Sequence, residues 1–192
     1  MDMSKLQTPI EKKEIEKLTA GELVALSGEL VTARDSAHAF LVGEKKKLPF
    51  SLEGGVLYHM GPIVKHENNV LKIISAGPTT SIREEIYESE IIRTYGVRAI
   101  IGKGGMGEKT KKTLQEFGAV YLSAVGGIAG LLAEHIIEVL DVFKLEEFGT
   151  PEAMWRLKIK DFPVIVTMDS KGNSLHEDIE KRSFEQLKKL LL

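Results

Sequence analysis

The stretch 77–107 constrains the fold more than any other part of the chain. It opens with a turn rich in glycine, proline and hydroxyl side chains (GPTTS, 77–81) and later holds an apolar run that ends in a glycine-rich turn (GKGGMG, 102–107). A cation, Arg83 or Lys103, accompanies each turn, and each turn leads into a segment with helical character. A helix N-terminus presents free N–H groups and the positive end of its dipole. The pattern therefore predicts two strand-to-helix junctions that attract anions.

The composition is that of a globular protein without thiol chemistry. Hydrophobic residues make up 43% and charged residues 28% of the 192 positions, which suits one domain with a substantial core. We assign an N-terminal arm to 1–20 and a single domain to 21–192. The sequence contains no cysteine, which excludes disulfides and thiolate ligands for a metal or an iron–sulfur cluster within this chain.

Charge and hydropathy argue against two kinds of partner. The formal net charge is −2, so no bulk field attracts nucleic acid or an anionic membrane. No apolar run approaches the ~20 residues that span a bilayer, and the charged N-terminus lacks the apolar core of a signal peptide. We therefore expect a cytoplasmic protein that binds neither nucleic acid nor a membrane.

The first half of the chain alternates between strand and helix patterns. The apolar stretch 23–32 contains Gly28, and we interpret it as strand, turn and strand. Thr32 and Asp35 have the spacing of a capping box, which predicts a helix over 33–43. The other elements expected in this half are a hairpin from the runs 57–64 and 70–75, a helix over 81–95 that begins with a second capping box at Ser81 and Glu84, and a strand over 97–101.

The second half continues the alternation, so an α/β domain with a mixed sheet is predicted. A helix over 108–117 and a strand over 120–123 precede an apolar helix that runs from Gly126 through Leu140. Two strands, 157–160 and 164–168, precede an amphipathic tail over 177–192. The positions expected to be buried in these last segments are Trp155, Ile179, Leu187, Leu190 and Leu191.

The glycine-rich turn resembles two nucleotide motifs without completing either. Gly102, Gly104 and Gly107 match G-x-G-x-x-G, but the next strand ends without the acid that would bind a ribose. A P-loop would need its Lys-Thr pair one position earlier, where Glu108 places a carboxylate. A plain glycine turn between strand and helix explains the same residues, so a nucleotide-binding module remains an alternative function.

Three cations fall at predicted strand-to-helix junctions. They are Arg34, Arg83 and Lys103, and such junctions cluster at the carboxyl ends of parallel strands. Arginine can hold a carboxylate with two hydrogen bonds, while lysine supplies a point charge. A small multivalent anion such as a dicarboxylate suits this set, and Thr79 and Thr80 would bring hydroxyl groups to the same place.

The histidines are spaced too far apart in the sequence to indicate a metal site. His38 follows Arg34 by one helical turn and could face the same cleft, although a structural or surface role explains it as well. Asp35 and Glu84 are interpreted as helix-capping residues rather than as acids or bases. We therefore predict no metal ligand in this chain.

Four motifs in order resemble class I, iron–sulfur-dependent fumarate hydratase. The resemblance is to the β subunit, or to the homologous C-terminal domain of single-chain members, with the L-tartrate dehydratase β subunit as a close relative. The motifs span most of the chain beyond residue 20; they are TARD with His38, GPTTS with Arg83, IGKGGM, and EAMW through DSKGN.

This resemblance implies a catalytic domain that holds half of an active site. It implies a swivelling β/β/α domain and a partner α subunit whose three cysteines ligate a [4Fe–4S] cluster. One iron of the cluster would act as a Lewis acid on the substrate. An αβ heterodimer or an α2β2 assembly is expected, and the absence of cysteine here agrees with that division.

The resemblance also implies roles for individual residues. Thr79 corresponds to the proposed base for the C3 proton, which neighbouring charge and an Asp of the partner subunit would have to activate. Arg34, Arg83 and Lys103 correspond to the residues that contact the substrate. Asp35, His38 and Thr80 are expected to orient these residues without contacting the substrate themselves.

The resemblance implies reversible hydration of fumarate to L-malate. Dehydration of L-tartrate is the main alternative within the class, and hydration of mesaconate is a further one. Many members have Met-Asp after the second arginine, whereas this chain has Glu84 and Glu85. A subunit that interacts with a partner without catalysing is the third kind of function to test.

Overall fold

The computed structural model describes residues 3–44, 48–67 and 70–191. Its core is a seven-stranded mixed sheet, and a separate two-stranded sheet lies beside it. The strands of the large sheet are β1 (Ser4–Gln7), β2 (Leu23–Thr32), β3 (Val56–Tyr58), β6 (Ala99–Gly102), β7 (Val120–Ser123), β8 (Ile136–Phe143) and β9 (Met154–Met168), and those of the small sheet are β4 (Ile63–Glu67) and β5 (Val70–Ser75).

Helices connect and flank the strands. The large sheet has the order β1-β2-β3-β6-β7-β9-β8, and β9 also pairs with β2, so the pairings of β2, β3, β6, β7 and β9 close on themselves. The predicted α/β class with a mixed sheet and flanking helices is confirmed. The helices are α1 (Lys12–Ile15), α2 (Asp35–Glu44), α3 (Glu85–Tyr95), α4 (Glu108–Phe117), α5 (Ala129–Ala133), α6 (Leu145–Phe148) and α7 (Leu175–Leu191), with a 3₁₀ turn at Ser81–Glu84.

The apolar runs form strands that are buried on both faces. Alternate residues of a strand point to opposite faces, and here each face meets a different apolar layer. On one face of the sheet, Tyr58 and Ile101 belong to the same core as Trp155. On the other face, Leu57 and Ile100 pack with residues of α2, α3 and α4. The four strands β2, β3, β6 and β7 run parallel. Their carboxyl ends therefore share one edge of the sheet.

The expected strand–turn–strand at 23–32 is wrong, because β2 is one continuous strand. Gly28 has a φ of 107° and marks a bulge opposite β9, where Leu26 pairs with Phe162 and Gly28 with Ile159. A Cβ on Gly28 would lie 2.3 Å from the Thr8 hydroxyl. Glycine inside a strand pattern therefore indicated a close approach of another segment rather than a turn.

The predicted helix from Gly126 through Leu140 is also wrong. Only Ala129–Ala133 is helical, and Ile136–Phe143 forms strand β8, which pairs with β9. The β-branched residues of 136–143 favour a strand over a helix. The two strands expected at 157–160 and 164–168 are parts of the single strand β9.

Both predicted capping boxes are wrong, although both helices exist. Thr32 Oγ1 donates to the Ala153 carbonyl and accepts from the Trp155 amide, so it ties β2 to β9. The Ser81 hydroxyl bonds instead to the side chains of His59 and Tyr121. Long-range partners have replaced the local ones that the spacing suggested.

The two ends of the chain differ in how they pack. Residues of the first segment join the main core, and β1 pairs with β2. Trp155 is buried, as predicted. The tail is helical, but its expected buried positions are wrong: exposed fractions are 53% for Ile179, 49% for Leu187, 83% for Leu190 and 77% for Leu191.

Two further expectations concern the hairpin and the membrane. The runs 57–64 and 70–75 do contain a hairpin, formed by β4 and β5, but Val56–Tyr58 lies in the large sheet. Within the described ranges, no helix combines the length and the apolarity needed to cross a bilayer. The cytoplasmic location stays a prediction.

Candidate active site

The predicted site residues lie where neighbouring parallel strands end. Arg34 follows β2, His59 follows β3 and Lys103 follows β6, and these three strands are adjacent in the sheet. The segment that carries Thr79 returns to this edge, where the Thr79 amide donates to the His59 carbonyl at 2.7 Å. The fold therefore brings Arg34, Thr79 and Lys103 together from sequence positions almost 70 residues apart.

Backbone hydrogen bonds hold Thr79 and Lys103 side by side. The Lys103 amide donates to the Thr79 carbonyl at 3.2 Å, and the Ser81 amide donates to the Lys103 carbonyl at 3.0 Å. These bonds place residues 79–81 alongside the end of β6 as a short parallel bridge. The Thr79 hydroxyl donates to the His59 carbonyl at 2.9 Å, which fixes its side-chain rotamer.

Asp35 bridges the two arginines. Its Oδ2 accepts a hydrogen bond from Arg83 Nη2 and lies 4.0 Å from Arg34 Nη2. Burial raises the pKa of Asp35, but the hydrogen bond and charge of Arg83 outweigh burial and hold that pKa below its usual range. Asp35 is thus ionised at neutral pH and keeps both guanidinium groups within reach of one small anion.

Arg34 is further oriented by residues whose role the sequence analysis missed. Its Nε lies 3.2 Å from Glu152 Oε1, while Glu152 Oε2 accepts from the Ser36 amide at 2.9 Å. A Cβ on Gly61 would come within 2.9 Å of Arg34 Nη1, so only glycine leaves room for the guanidinium there. Glu152 belongs to the EAMW motif, which was the only sequence signal for it.

Lys103 and Thr80 are exposed beside this cluster. Among the residues that the structure describes, the Lys103 ammonium makes no ion pair. The loop after β7 borders it, since a Cβ on Gly126 would lie 3.9 Å from Lys103 Cδ. Within the described ranges, Lys103 therefore presents a charge without a counter-ion next to Thr79.

Behind the site, a buried carboxylate joins two histidines. Glu88 Oε2 lies 3.1 Å from both His38 Nε2 and His59 Nε2, and all three side chains are fully buried. His38 Nδ1 lies 2.8 Å from the Arg34 carbonyl. Because a carbonyl and a carboxylate only accept hydrogen bonds, both ring nitrogens of His38 carry a proton. His38 is thus a buried cation paired with Glu88.

The charges of this cluster follow from burial and pairing. Burial raises the pKa of Glu88, but hydrogen bonds from both histidines outweigh burial and bring that pKa to about 2. Burial lowers the pKa of His38, but the bond to Glu88 raises it above its ordinary value. For His59 burial dominates and lowers the pKa, so His59 is neutral at pH 7.

Sequence spacing gave no sign that these histidines meet. The three ligand atoms of His38, His59 and Glu88 lie within 4.8 Å of one another, which is a possible metal-binding arrangement. Each of these atoms is already engaged in a hydrogen bond within the cluster. The absence of a metal site in this chain stays a prediction.

The glycine-rich turn already has an anion of its own. Glu85 accepts hydrogen bonds from the Gly107 amide at 2.8 Å and from the Thr110 amide at 3.0 Å. These are free N–H groups at the N-terminus of α4, where a phosphate would bind. The expectation that this helix attracts an external anion is therefore wrong, and a nucleotide would have to displace a carboxylate. Glu85 is also one of the two residues that depart from the Met-Asp pattern.

The comparisons with known proteins agree with the geometry. Residues 2–179 match the family model described as the fumarase C-terminus. A protein of Geobacillus stearothermophilus with the provisional name class I fumarate hydratase is 50% identical over 183 residues, which are 95% of this chain and 35% of that protein. The chain thus spans about a third of this relative's length.

Two other relatives match over most of both chains. One, from Methanocaldococcus jannaschii, has the provisional name L(+)-tartrate dehydratase subunit beta and is 45% identical over 184 residues, 94% of each protein. The L(+)-tartrate dehydratase subunit beta of Escherichia coli strain K12 is 38% identical over 177 residues, 92% of this chain and 88% of that subunit.

Proposed function

The chain belongs to the fumarase C-terminus family, and on this premise we propose that it is the β subunit of a hydro-lyase that interconverts fumarate and L-malate. The observation that supports this most directly is the meeting of Arg34, Arg83, Lys103 and Thr79 at one edge of the sheet. A fumarate dianion needs two positive regions and a proton-transferring group between them. Membership of this family favours a dicarboxylate over other small anions as the ligand of the three cations.

The cations divide the work of holding a dicarboxylate. Arg34 and Arg83, which Asp35 bridges, grip one carboxylate through planar N–H pairs. Lys103 has no ion pair among the described residues and is free to meet the other carboxylate. The charge of Asp35 prevents the arginines from repelling each other while the site is empty.

Thr79 is the base in this proposal. Its hydroxyl is fixed by the bond to the His59 carbonyl and lies beside Lys103. A free threonine hydroxyl is too weak a base at neutral pH, so it must be activated by neighbouring charge. An Asp of the partner subunit would take the hydroxyl proton of Thr79, Lys103 and the arginines would stabilise the resulting alkoxide, and the alkoxide would accept the C3 proton of the substrate.

The iron–sulfur cluster of the family does not fit this chain. The sequence has no cysteine to ligate it, so we place the cluster on a partner α subunit. Exposed apolar side chains that a partner would cover lie close in sequence to Arg83 and to the end of β7. Ile82 and Ile86 lie on either side of Arg83 with 50% and 66% of their surface exposed, and Val125 follows β7 with 51% exposed. An αβ heterodimer or an α2β2 assembly is expected.

L-Tartrate dehydration is the second candidate reaction. It is favoured by the two relatives that match this chain over most of their length, since both bear the name of tartrate dehydratase β subunits. Tartrate and malate differ by one hydroxyl, so the same three cations would bind either. The choice between them rests on a direct comparison of rates.

The test is an anaerobic assay of the reconstituted complex with fumarate, malate, tartrate and mesaconate. This chain would be co-expressed with a cysteine-containing α subunit of the same enzyme class. Lys103→Ala should lower kcat/KM at least tenfold, which is about 1.4 kcal/mol of transition-state binding. Lys112→Ala is the matched control, because Lys112 is an exposed lysine on α4 away from the site.

Two results would overturn the proposal. Unchanged turnover in Lys103→Ala would indicate a subunit that only interacts with its partner. Thermal stabilisation of the chain by ATP or NAD, and by none of the dicarboxylates, would indicate a nucleotide-binding module.

A further inference from the structure

We propose that Glu88 is a positioning residue that fixes the distance between the substrate-binding and base-bearing segments of the site, acting through His38 and His59. Nothing in the family match assigns a role to Glu88, His59, Ser81 or Tyr121. The inference rests on the proposed function, because it concerns how Arg34 and Thr79 are held for that reaction. Its basis is a single buried oxygen atom, Glu88 Oε2, which bonds to both histidines.

The first arm of this network reaches Arg34. His38 Nε2–H donates to Glu88 at 3.1 Å, and Nδ1–H donates to the Arg34 carbonyl at 2.8 Å. That carbonyl also accepts from the His38 amide at 2.9 Å, in the first turn of α2. The imidazolium therefore fixes the main chain from which the Arg34 side chain leaves.

The second arm reaches Thr79. His59 Nε2–H donates to the same Glu88 oxygen, and the carbonyl of His59 accepts both the amide and the hydroxyl of Thr79. On the other side of the ring, His59 Nδ1 lies 2.8 Å from the Ser81 hydroxyl, which also accepts from the Tyr121 hydroxyl at 2.8 Å. Ser81 in turn lies in the segment that bonds to Lys103. The His59 ring is thus locked from both ends.

The directions of these hydrogen bonds are mutually consistent. Tyr121 donates to Ser81, Ser81 donates to the neutral His59, and both histidines donate to Glu88. The other carboxylate oxygen, Oε1, has no hydrogen-bond partner among the described residues. One atom therefore carries both arms. Its negative charge is the main one that stabilises the His38 imidazolium, and Glu84 Oε2, 3.6 Å from His38 Nδ1, adds to it.

Glu88→Gln removes that charge while preserving size. A neutral glutamine no longer stabilises the imidazolium, so His38 keeps one N–H for two acceptors, and either the Arg34 carbonyl or residue 88 loses its bond. A displacement of about 1 Å at a reacting group can cost about a hundredfold in rate. In the reconstituted complex we expect KM for the dicarboxylate to rise at least about fivefold and kcat to fall about tenfold or more.

Two further variants test the arm to Arg34 and the arm to Thr79 one at a time, and they can be assayed even if Glu88→Gln does not fold. His38→Gln should mainly raise KM, because it releases Arg34. Ser81→Ala should mainly lower kcat, because it frees the ring of His59 behind Thr79. Glu116→Gln is the control: Glu116 is an exposed acid on α4 that pairs with Arg93 and not with the histidines. It should change KM and kcat by less than about twofold.

A purely structural role predicts a different result. It would lower kcat only in proportion to the folded fraction, with KM unchanged in all variants, and that outcome would overturn the proposal. A metal ion that copurifies with the full chain and is lost in Glu88→Gln would overturn it as well, since the oxygen would then be a ligand.

Ring nitrogen NMR of the full chain tests the network without any activity. With the ring signals of the five histidines assigned, we expect His38 to be protonated on both nitrogens at pH 7 and His59 on Nε2 alone, and we expect His38 to lose its second proton in Glu88→Gln. A neutral His38 in the wild-type chain would contradict the inference. These signals would survive a failure of the proposed function, whereas an inactive wild-type complex would count only against the function.

Discussion

Replacing Gly61 by alanine should loosen the grip on substrate while leaving the fold intact. A Cβ at this position would lie 2.6 Å from the Pro151 carbonyl oxygen, 2.9 Å from Arg34 Nη1 and 3.0 Å from Arg34 Cδ. The contact with the Pro151 carbonyl is relieved only by a local shift of the main chain, and the flexible Arg34 side chain must move as well. Gly61 has no positive φ, so alanine itself fits the local φ.

The size of the effect follows from those distances. Relief to an ordinary carbon contact requires Arg34 to move by roughly 0.5–1 Å, which breaks the 3.2 Å contact between its Nε and Glu152. Arg34 holds a carboxylate in both the substrate and the transition state, so the loss falls on KM more than on kcat. A misplacement of this size predicts a rise in KM of about 10- to 100-fold, with at most about 1–3 kcal/mol of lost stability from overpacking.

Initial rates of the reconstituted complex over a range of malate concentrations would measure this change. Gly126→Ala is a matched control at the same edge of the sheet, because its Cβ would meet Lys103 Cδ at an ordinary 3.9 Å. We expect that variant to keep the wild-type KM. If Gly61→Ala is fully folded and its KM is within twofold of wild type, Arg34 does not bind the substrate in the way proposed.

The remaining predictions concern two carboxylates, the half-buried Glu85 and the fully buried Glu88. Glu85→Ala should lower the free energy of unfolding by about 1–2 kcal/mol, because it leaves free N–H groups at the start of α4; thermal unfolding measures this, and an unchanged midpoint would contradict the capping role. Acid should destabilise the chain through Glu88, whose pKa of about 2 in the folded state lies below its ordinary 4.5. The stabilisation from a depressed pKa is present above the ordinary value and is lost as pH falls through the folded value, so the wild-type chain should lose about 3 kcal/mol between about pH 5 and pH 2. Denaturant titrations at each pH would show that the free energy of unfolding falls less below pH 5 in Glu88→Gln than in wild type. An equal fall in the two proteins would contradict the prediction.

Much of the fold was predictable because strand and helix patterns are local. The apolar runs that became β3, β6 and β7 alternate between two apolar layers, and α4 and β7 match their expected bounds at 108–117 and 120–123. The predictions were wrong where one local sequence pattern was compatible with two different structures. The glycines after Ala124 could open a long helix or break it, and pairing with β9 decided for the edge strand β8.

The sequence by itself also determined which residues could meet at the candidate site. Arg34 and Lys103 directly follow strands, and parallel strands bring their carboxyl ends to one edge. Periodicity and turn chemistry are enough for that conclusion, because they depend on neighbours within a few positions.

Only the tertiary structure decided what these residues touch. It placed Glu152 against Arg34, put Glu85 in the anion site of the glycine turn, and joined His38 to His59 through Glu88. It also left Leu187 and its neighbours on α7 exposed. Such contacts link positions 20 to more than 100 residues apart in the sequence. Burial and charge pairing across those separations depend on the whole packed chain, and no local pattern encodes them.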